Sequence, residues 1–216
     1  MMIVDSQRFV VAAGAPPSYV DFALTTSGVS PKAFALPAGV QEGDLVFVVV
    51  AMLNPGSMGV GGGDGGWTYL VGGSGVVNRM AYKFVTAADI AASLTLATSG
   101  GYLRVLAVAY RGVGGVTLKG SGKNSSATPF SVAGWTPAAV GMVVSVLLGD
   151  NTPAGSVALT PPAGFIERVD SYEASDTLVV VGVADDDGYT GAAVEWAFTA
   201  SPALVRNGQF VFELTP

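Results

Sequence analysis

The 216-residue chain contains no cysteine and no histidine. Without cysteine there is no disulfide framework and no thiolate metal site. Without histidine it lacks the commonest general base and the commonest metal ligand, and the two absences together rule out Ser-His and Cys-His nucleophile pairs. Charge is scarce as well: 12% of the residues are Asp, Glu, Lys or Arg, against the roughly 25% usual in soluble domains. The net charge is −6, the pI is near 4.4, and no Lys/Arg cluster occurs. With no cationic face to neutralise phosphates, nucleic acid is excluded as a partner, and anionic membrane surfaces are disfavoured for the same reason. Long apolar runs are missing too. The longest, Leu45 to Leu53 within "GDLVFVVVAMLNPG", has nine residues, where a membrane helix needs about 20, so no membrane insertion is expected. The opening "MMIVDSQRFVVAAGAPPSY", interrupted by Asp5 and Arg8, has neither the basic nor the apolar region of a secretory signal. The chain is therefore expected to start its life in the cytosol.

What is present is hydrophobic and extended. Half of the residues are hydrophobic, and a body of this size can bury roughly 70% of its unfolded surface. A surface so poor in charge repels its neighbours weakly, which points to cover by other subunits and to a homo-oligomer. Apolar runs of 5 to 10 residues, rich in valine and bounded by Gly, Pro, Asn or Asp, read as strands. They fall near 33–36, 44–52, 67–71, 77–85, 93–97 and 102–110, then again near 129–132, 141–148, 165–169, 177–183, 194–198 and 209–214. Only "VTAADIAAS", residues 85–93, has helical composition.

The two series correspond. Gly43 and Gly141 are 98 apart, as are Trp67 and Phe165, and each aromatic follows a glycine and opens a short strand. An internal duplication is the simplest account. The expected fold is all-β: a jelly-roll-like antiparallel β-sandwich with an internal pseudo-repeat, its two halves interleaving their strands, with two small sandwiches, one from each half, as the alternative. The expected organisation is an N-terminal arm over 1–20 and a sandwich over 21–216, with halves at about 30–113 and 128–216 and a surface loop over 114–128. The unbroken apolar run at Leu45 suits a central strand covered on both faces, one by the partner sheet and the other by a loop, the arm or a neighbouring subunit. Trp67 reads as core. Burying it removes about 150–250 Å² from water, an upper bound of about 4–6 kcal/mol.

Few motifs carry chemistry. "GGGDGG", residues 61–66, formally contains G-x-G-x-x-G, but "WTYLV" follows as a strand where a phosphate site needs a helix N-terminus. A mobile loop tip is the plain reading. "GSGKNSS", residues 120–126, fails as a P-loop because Thr117 and Asn124 stand where Gly and Ser/Thr are required. "ADDDG" places Asp185, Asp186 and Asp187 in a row. A water-solvated turn is the plainer reading and a structural Ca²⁺ site the alternative, although the spacing is not that of an EF-hand. No other cofactor is expected. Glu167, Asp170 and Glu173 are near enough in sequence to suggest the paired carboxylates of glycoside hydrolysis, yet nothing marks one as desolvated and another as exposed. Aromatics near strand ends, Tyr69, Tyr102, Trp135, Tyr172 and Tyr189, could stack on sugar rings. Trp135 and Tyr189 are the best candidates for glycan contact.

The order "LPAGVQEGDLVFVVVAML", "GGWTYL", "MAYKFVTAAD", "SLTLA", "LAVAYRGV", then "TPPAGFIERVD", "GVADDDGYTGAAVEWAFTAS" and "FVFEL" resembles β-sandwich modules in tail, fibre and other virion-surface proteins of tailed bacteriophages and prophages. The likeness runs over about residues 20–216. It implies a structural or adhesive virion component without catalysis or cofactors, assembled in the bacterial cytoplasm with other virion proteins. A carbohydrate-binding module that attaches the particle to a host-surface glycan is the alternative, and a glycan-active hydrolase a more distant one.

Overall fold

The computed structural model describes residues 15–26, 28–51, 57–71, 79–99, 102–124, 131–151, 157–173, 179–200 and 204–216. The first part of the chain contributes β1 (Ser18–Leu24), β2 (Gly28–Val29), β3 (Lys32–Phe34), β4 (Leu45–Ala51), β5 (Met58–Gly61), β6 (Thr68–Val71), β7 (Arg79–Phe84), α1 (Ala87–Ala91), β8 (Leu94–Thr98) and β9 (Tyr102–Arg111). The second contributes β10 (Gly115–Asn124), β11 (Ser131–Val132), β12 (Met142–Asn151), β13 (Val157–Thr160), β14 (Ile166–Glu173), β15 (Val179–Asp186), β16 (Val194–Glu195), β17 (Ala197–Ala200) and β18 (Leu204–Thr215). The protein is thus all-β, with one short helix at the place its composition marks.

Two large antiparallel sheets form the body. One runs β1-β9-β4-β7-β6, with β2 also on β9; the other runs β10-β18-β12-β15-β14. Position by position the orders coincide: edge strand, last strand, central apolar strand, then the hairpin β7-β6 or its counterpart β15-β14. The small sheets repeat as well. β3-β8-β5 in the first half corresponds to β11-β16 and β17-β13 in the second, where the counterpart of β8 is split at Trp196. The registers set the spacing. Phe47 pairs with Tyr82 and that with Thr68, while Val144 pairs with Asp185 and that with Ile166. Phe47 and Val144 are 97 positions apart and Thr68 and Ile166 are 98 apart, within one residue of the spacing legible in the sequence.

The halves do not interleave. Each large sheet draws on one half alone, and the sandwich forms by packing one sheet on the other. Leu45, Phe47, Val49, Leu106, Val108 and Tyr110 of the first sheet share one core with Val144, Val146, Leu148, Val183, Phe210 and Phe212 of the second. Phe47 meets Phe212 at 4.8 Å between ring centroids, a separation typical of favourable ring pairs. Residues of β4 alternate between the two faces. Its outward-facing Val46, Val48 and Val50 pack with Phe34 of β3 and with Leu94 and Leu96 of β8. The cover on the second face of the apolar run is therefore the chain's own three-stranded sheet, in place of the expected loop, arm or subunit. Trp67 lies in this outer core, 7% exposed.

Two expected boundaries move. The sandwich begins at Ser18, inside the expected arm, and most of the expected 114–128 loop is β10, paired to β18 along its length. The expected ranges also pass over five strands: β2, β5 and β13, which are two to four residues long, and β1 and β10, which are edges of the large sheets, where polar residues and glycine weaken the strand signal. Gly120 of β10 has its own reason: a Cβ there would stand 2.7 Å from a Val132 methyl.

Candidate functional site

Four clusters of charged residues hold chain segments together in the described structure. At the start of β4, Arg111 donates to both carboxylate oxygens of buried Asp44, at 2.9 and 2.7 Å, and to the Gly39 carbonyl at 2.8 Å. An open cavity of about 620 Å³ lies beside this pair, lined by Gln41 to Asp44 and Arg111 to Val113.

The second cluster fixes the glycine loop. Gly62, Gly63, Gly65 and Gly66 all have positive φ, so the glycines answer a backbone requirement, and the loop leads into a strand as its sequence indicates. Asp64, at its tip, is bound by Lys83 and accepts from the Thr86 hydroxyl at 3.0 Å. Lys83 is 8% exposed and also pairs with fully buried Asp89 at 2.6 Å. Asp89 in turn caps α1: its Oδ2 accepts from the Thr86 N–H at 2.9 Å and the Thr86 hydroxyl at 3.0 Å, and the Thr86 hydroxyl accepts from the Asp89 N–H, a capping box. The loop expected to be mobile is tied down at its tip.

The third cluster joins the two sheets and contains Asp185. This carboxylate points into the sandwich, 1% exposed, and accepts from Arg168 Nε and Nη2 at 2.9 Å each and from the Tyr110 hydroxyl at 3.2 Å. The Arg168 guanidinium in turn lies 4.6 Å from the centre of the Tyr19 ring, a cation–π distance. Strand alternation sends the next residue the other way. Asp186 is half-buried and accepts from the Gly188 N–H at 2.7 Å, while Asp187 is exposed. The three carboxylates proposed for Ca²⁺ thus face different surroundings, and the innermost is already committed to Arg168. Among the described residues no three His, Cys, Asp or Glu side chains gather in a group able to hold a metal ion.

The fourth cluster brings the two glycan candidates together. Trp135 and Tyr189 stack at 4.6 Å with 34° between their planes, and Phe165 meets Tyr189 edge-on at 6.3 Å. Tyr189 is 9% exposed, and its hydroxyl donates to the Ala192 carbonyl. Lys119 stands 5.6 Å above the Trp135 ring and pairs with Glu213 at 2.6 Å. Glu213 also accepts from the Ala138 N–H at 2.5 Å. Trp135 is half-exposed beside a cleft of about 400 Å³ lined by Thr136 to Ala139, Asp187, Tyr189 and Glu213. Much of the Trp135 ring is taken up by Tyr189 and Lys119, which leaves its rim for a ligand.

Of the other carboxylates, Glu167 and Asp170 share a face because a bulge in β14 shifts the register between Glu167 and Val169. Burial and the neighbouring Asp170 raise the Glu167 pKa, and burial raises that of Asp170. Both are exposed, on an edge strand. The side chains of Glu173, Tyr102 and Tyr172 lie outside the described residues. Tyr69 accepts from the Val60 N–H at 2.9 Å and is 43% exposed. Sequence reasoning passed over Trp196, the largest fully buried side chain. The signal for it was a pair of small residues in otherwise apolar strands, Ser145 in "GMVVSVLL" and Gly182 in "LVVVGVA", which make the room it fills.

These clusters set the response to acid. Burial alone would raise the pKa of Asp89 and of Glu213, but Lys83 and Thr86 on the one, and Lys119, Ala138 and Trp135 on the other, more than offset it and leave both lowered. Asp64 is lowered by Lys83 and Thr86. A lowered carboxyl lends stability that is complete above its unfolded value and lost as pH falls through its folded value. For Asp185 burial outweighs Arg168 and Tyr110, and its pKa is raised; this opposes stability as pH climbs past the ordinary Asp value. The melting temperature should therefore fall once the pH drops below the ordinary carboxylate range, and Glu213→Gln should flatten part of that fall. Parallel melting curves for the two proteins across that range would contradict the assignment.

No protein-family model matches the chain, and neither the curated proteins nor the solved structures contain a match. Among the described residues no helix is long and apolar enough to cross a membrane.

Proposed function

We propose that this chain is a non-enzymatic structural subunit of a bacteriophage-type particle: a β-sandwich in a tail or fibre assembly or a capsid decoration, packed against copies of itself and other virion proteins. One observation supports this most. Each of the four edge strands of the two large sheets carries an exposed large apolar side chain: Phe22 on β1, Tyr69 on β6, Leu118 on β10 and Ile166 on β14, 38 to 53% exposed. Sheet edges also present unpaired N–H and C=O groups, so apolar contact and backbone pairing coincide along the same lines. The scarcity of surface charge and the resemblance of the strand order to virion-surface modules point the same way. In this reading the function is mechanical, and the buried charge clusters brace the body that carries the contacts.

Sedimentation at micromolar concentration tests it. The protein should run larger than its 21.7 kDa monomer, and Leu118→Lys with Ile166→Lys should reduce it to a monomer of unchanged melting temperature. A wild-type monomer would contradict the reading. Glycan attachment is a second reading, favoured by the half-exposed Trp135 beside the acidic cleft. It calls for glycan-array binding that is lost in Trp135→Ala, and a blank array for the wild type would remove it.

A further inference from the structure

The Lys83 cluster holds an arrangement that ion pairing alone does not explain. An amine and a carboxyl, 8% and 0% exposed, stand 2.6 Å apart, and the Trp67 ring covers the amine with its centroid 6.0 Å from Nζ. The second Asp89 oxygen, Oδ1, is buried with no hydrogen-bond partner. It faces Gly63, where any Cβ would overlap it. Leaving a carboxylate oxygen dry and unpaired is costly. A second carboxyl, Asp64, touches the same amine from the solvent side, 46% exposed on its side chain. Amine, dry carboxyl and a second carboxylate at the water boundary that can pass a proton between them are the parts needed to condense the first two.

We propose that Lys83 and Asp89 join in the folded chain through an amide between Nζ and Cγ, with Asp64 as the proton relay. Proton exchange within the ion pair gives the neutral amine and the neutral acid. The Nζ lone pair attacks Cγ, Asp64 takes a proton from the nitrogen and returns it to the departing oxygen, and the C–O bond breaks with release of one water. Ammonium and carboxylate become amide and water, so net charge, electrons and atoms balance without a further reactant. The retained carbonyl oxygen still accepts from the Thr86 N–H and hydroxyl, so the helix cap survives. The unpartnered oxygen is the one that leaves.

Mass spectrometry of the purified protein decides. The intact mass should fall short of the sequence mass by one water, and Lys83→Arg and Asp64→Asn should each restore it. Trypsin then locates the bond. Lys83 is the one basic residue between Arg79 and Arg104; once acylated it resists cleavage, so a single dehydrated peptide covering residues 80–104 is expected. Full mass with cleavage after Lys83 overturns the proposal, whatever the variants do. Dehydration with Lys83 still cleaved indicates a succinimide at Asp64-Gly65 and overturns it too. A branched product joining the 33–79 peptide to the 80–104 peptide would place the amide on Asp64 and overturn the assignment to Asp89.

Discussion

Replacing Trp196 with alanine is expected to remove about 3–5 kcal/mol of stability, a large part of the roughly 5–15 kcal/mol that holds a domain folded. The indole is fully buried and forms the outer core of the second sheet with Leu147, Leu159, Val180 and Ala184. Its six-membered ring abuts Gly182, where a Cβ would stand 2.9 Å from two of its ring carbons. Its Nε1 donates to Ser145 Oγ at 2.8 Å, and Gln209 Nε2 donates to the same oxygen at 2.8 Å. Truncation would open a cavity that the rigid strands β12 and β15 cannot close, and it would take one donor from a buried hydroxyl. Urea unfolding of Trp196→Ala and Trp196→Phe measures the two parts. Phenylalanine refills most of the space without the N–H, so it should cost clearly less than alanine. Equal losses would mean that the hydrogen bond, and not the volume, sets the effect.

Arg168→Met is the second large expected loss, at about 3 kcal/mol. Asp185 is 1% exposed and cannot be rehydrated by a side-chain turn; once its bidentate partner is gone, the carboxylate must stay charged in a dry site or take up a proton. The figure sits at the low end of the range for broken buried pairs, because Arg168 itself is 25% exposed and already partly solvated. The double variant Arg168→Met, Asp185→Leu removes the stranded charge as well and should recover part of the loss. The same reasoning fixes a pH signature: as pH falls and Asp185 becomes protonated, Arg168→Met should lose its disadvantage relative to the wild type. A stability gap that stays constant into acid would show that the pair does not carry the effect.

These two residues also show where the sequence was readable. The strands β4, β9, β12, β15 and β18 announce themselves by apolar runs rich in valine and leucine, because a strand covered on both faces has little polar side to interrupt it. The repeat was legible from Gly43, Trp67 and their counterparts, since a turn glycine and the aromatic after it are tied to one local geometry. How the two halves combine was not legible. The choice between exchanging strands and stacking sheets depends on which face of "VFVVV" meets which partner, and both of its faces are apolar. Asp185, Asp186 and Asp187 look alike in sequence, yet strand alternation sends the first inward to Arg168, 17 positions away, and the next one outward. Lys119 and Glu213 meet across paired strands of one sheet edge, a contact that no local pattern carries. Trp135 and Tyr189, the two aromatics that the sequence singles out for glycan contact, do come together, but packed against each other with Tyr189 buried.

Two copies of one strand plan, each with its own outer cover, fold as a single body through the core that Phe47, Tyr110, Val146 and Phe212 share. Differential scanning calorimetry of the intact chain tests it most directly. The account predicts one heat-absorption peak whose calorimetric enthalpy equals its van't Hoff enthalpy, since neither sheet can keep its inner face covered without the other. Two resolved peaks, or a calorimetric enthalpy near twice the van't Hoff value, would mean that the halves melt independently and would contradict it.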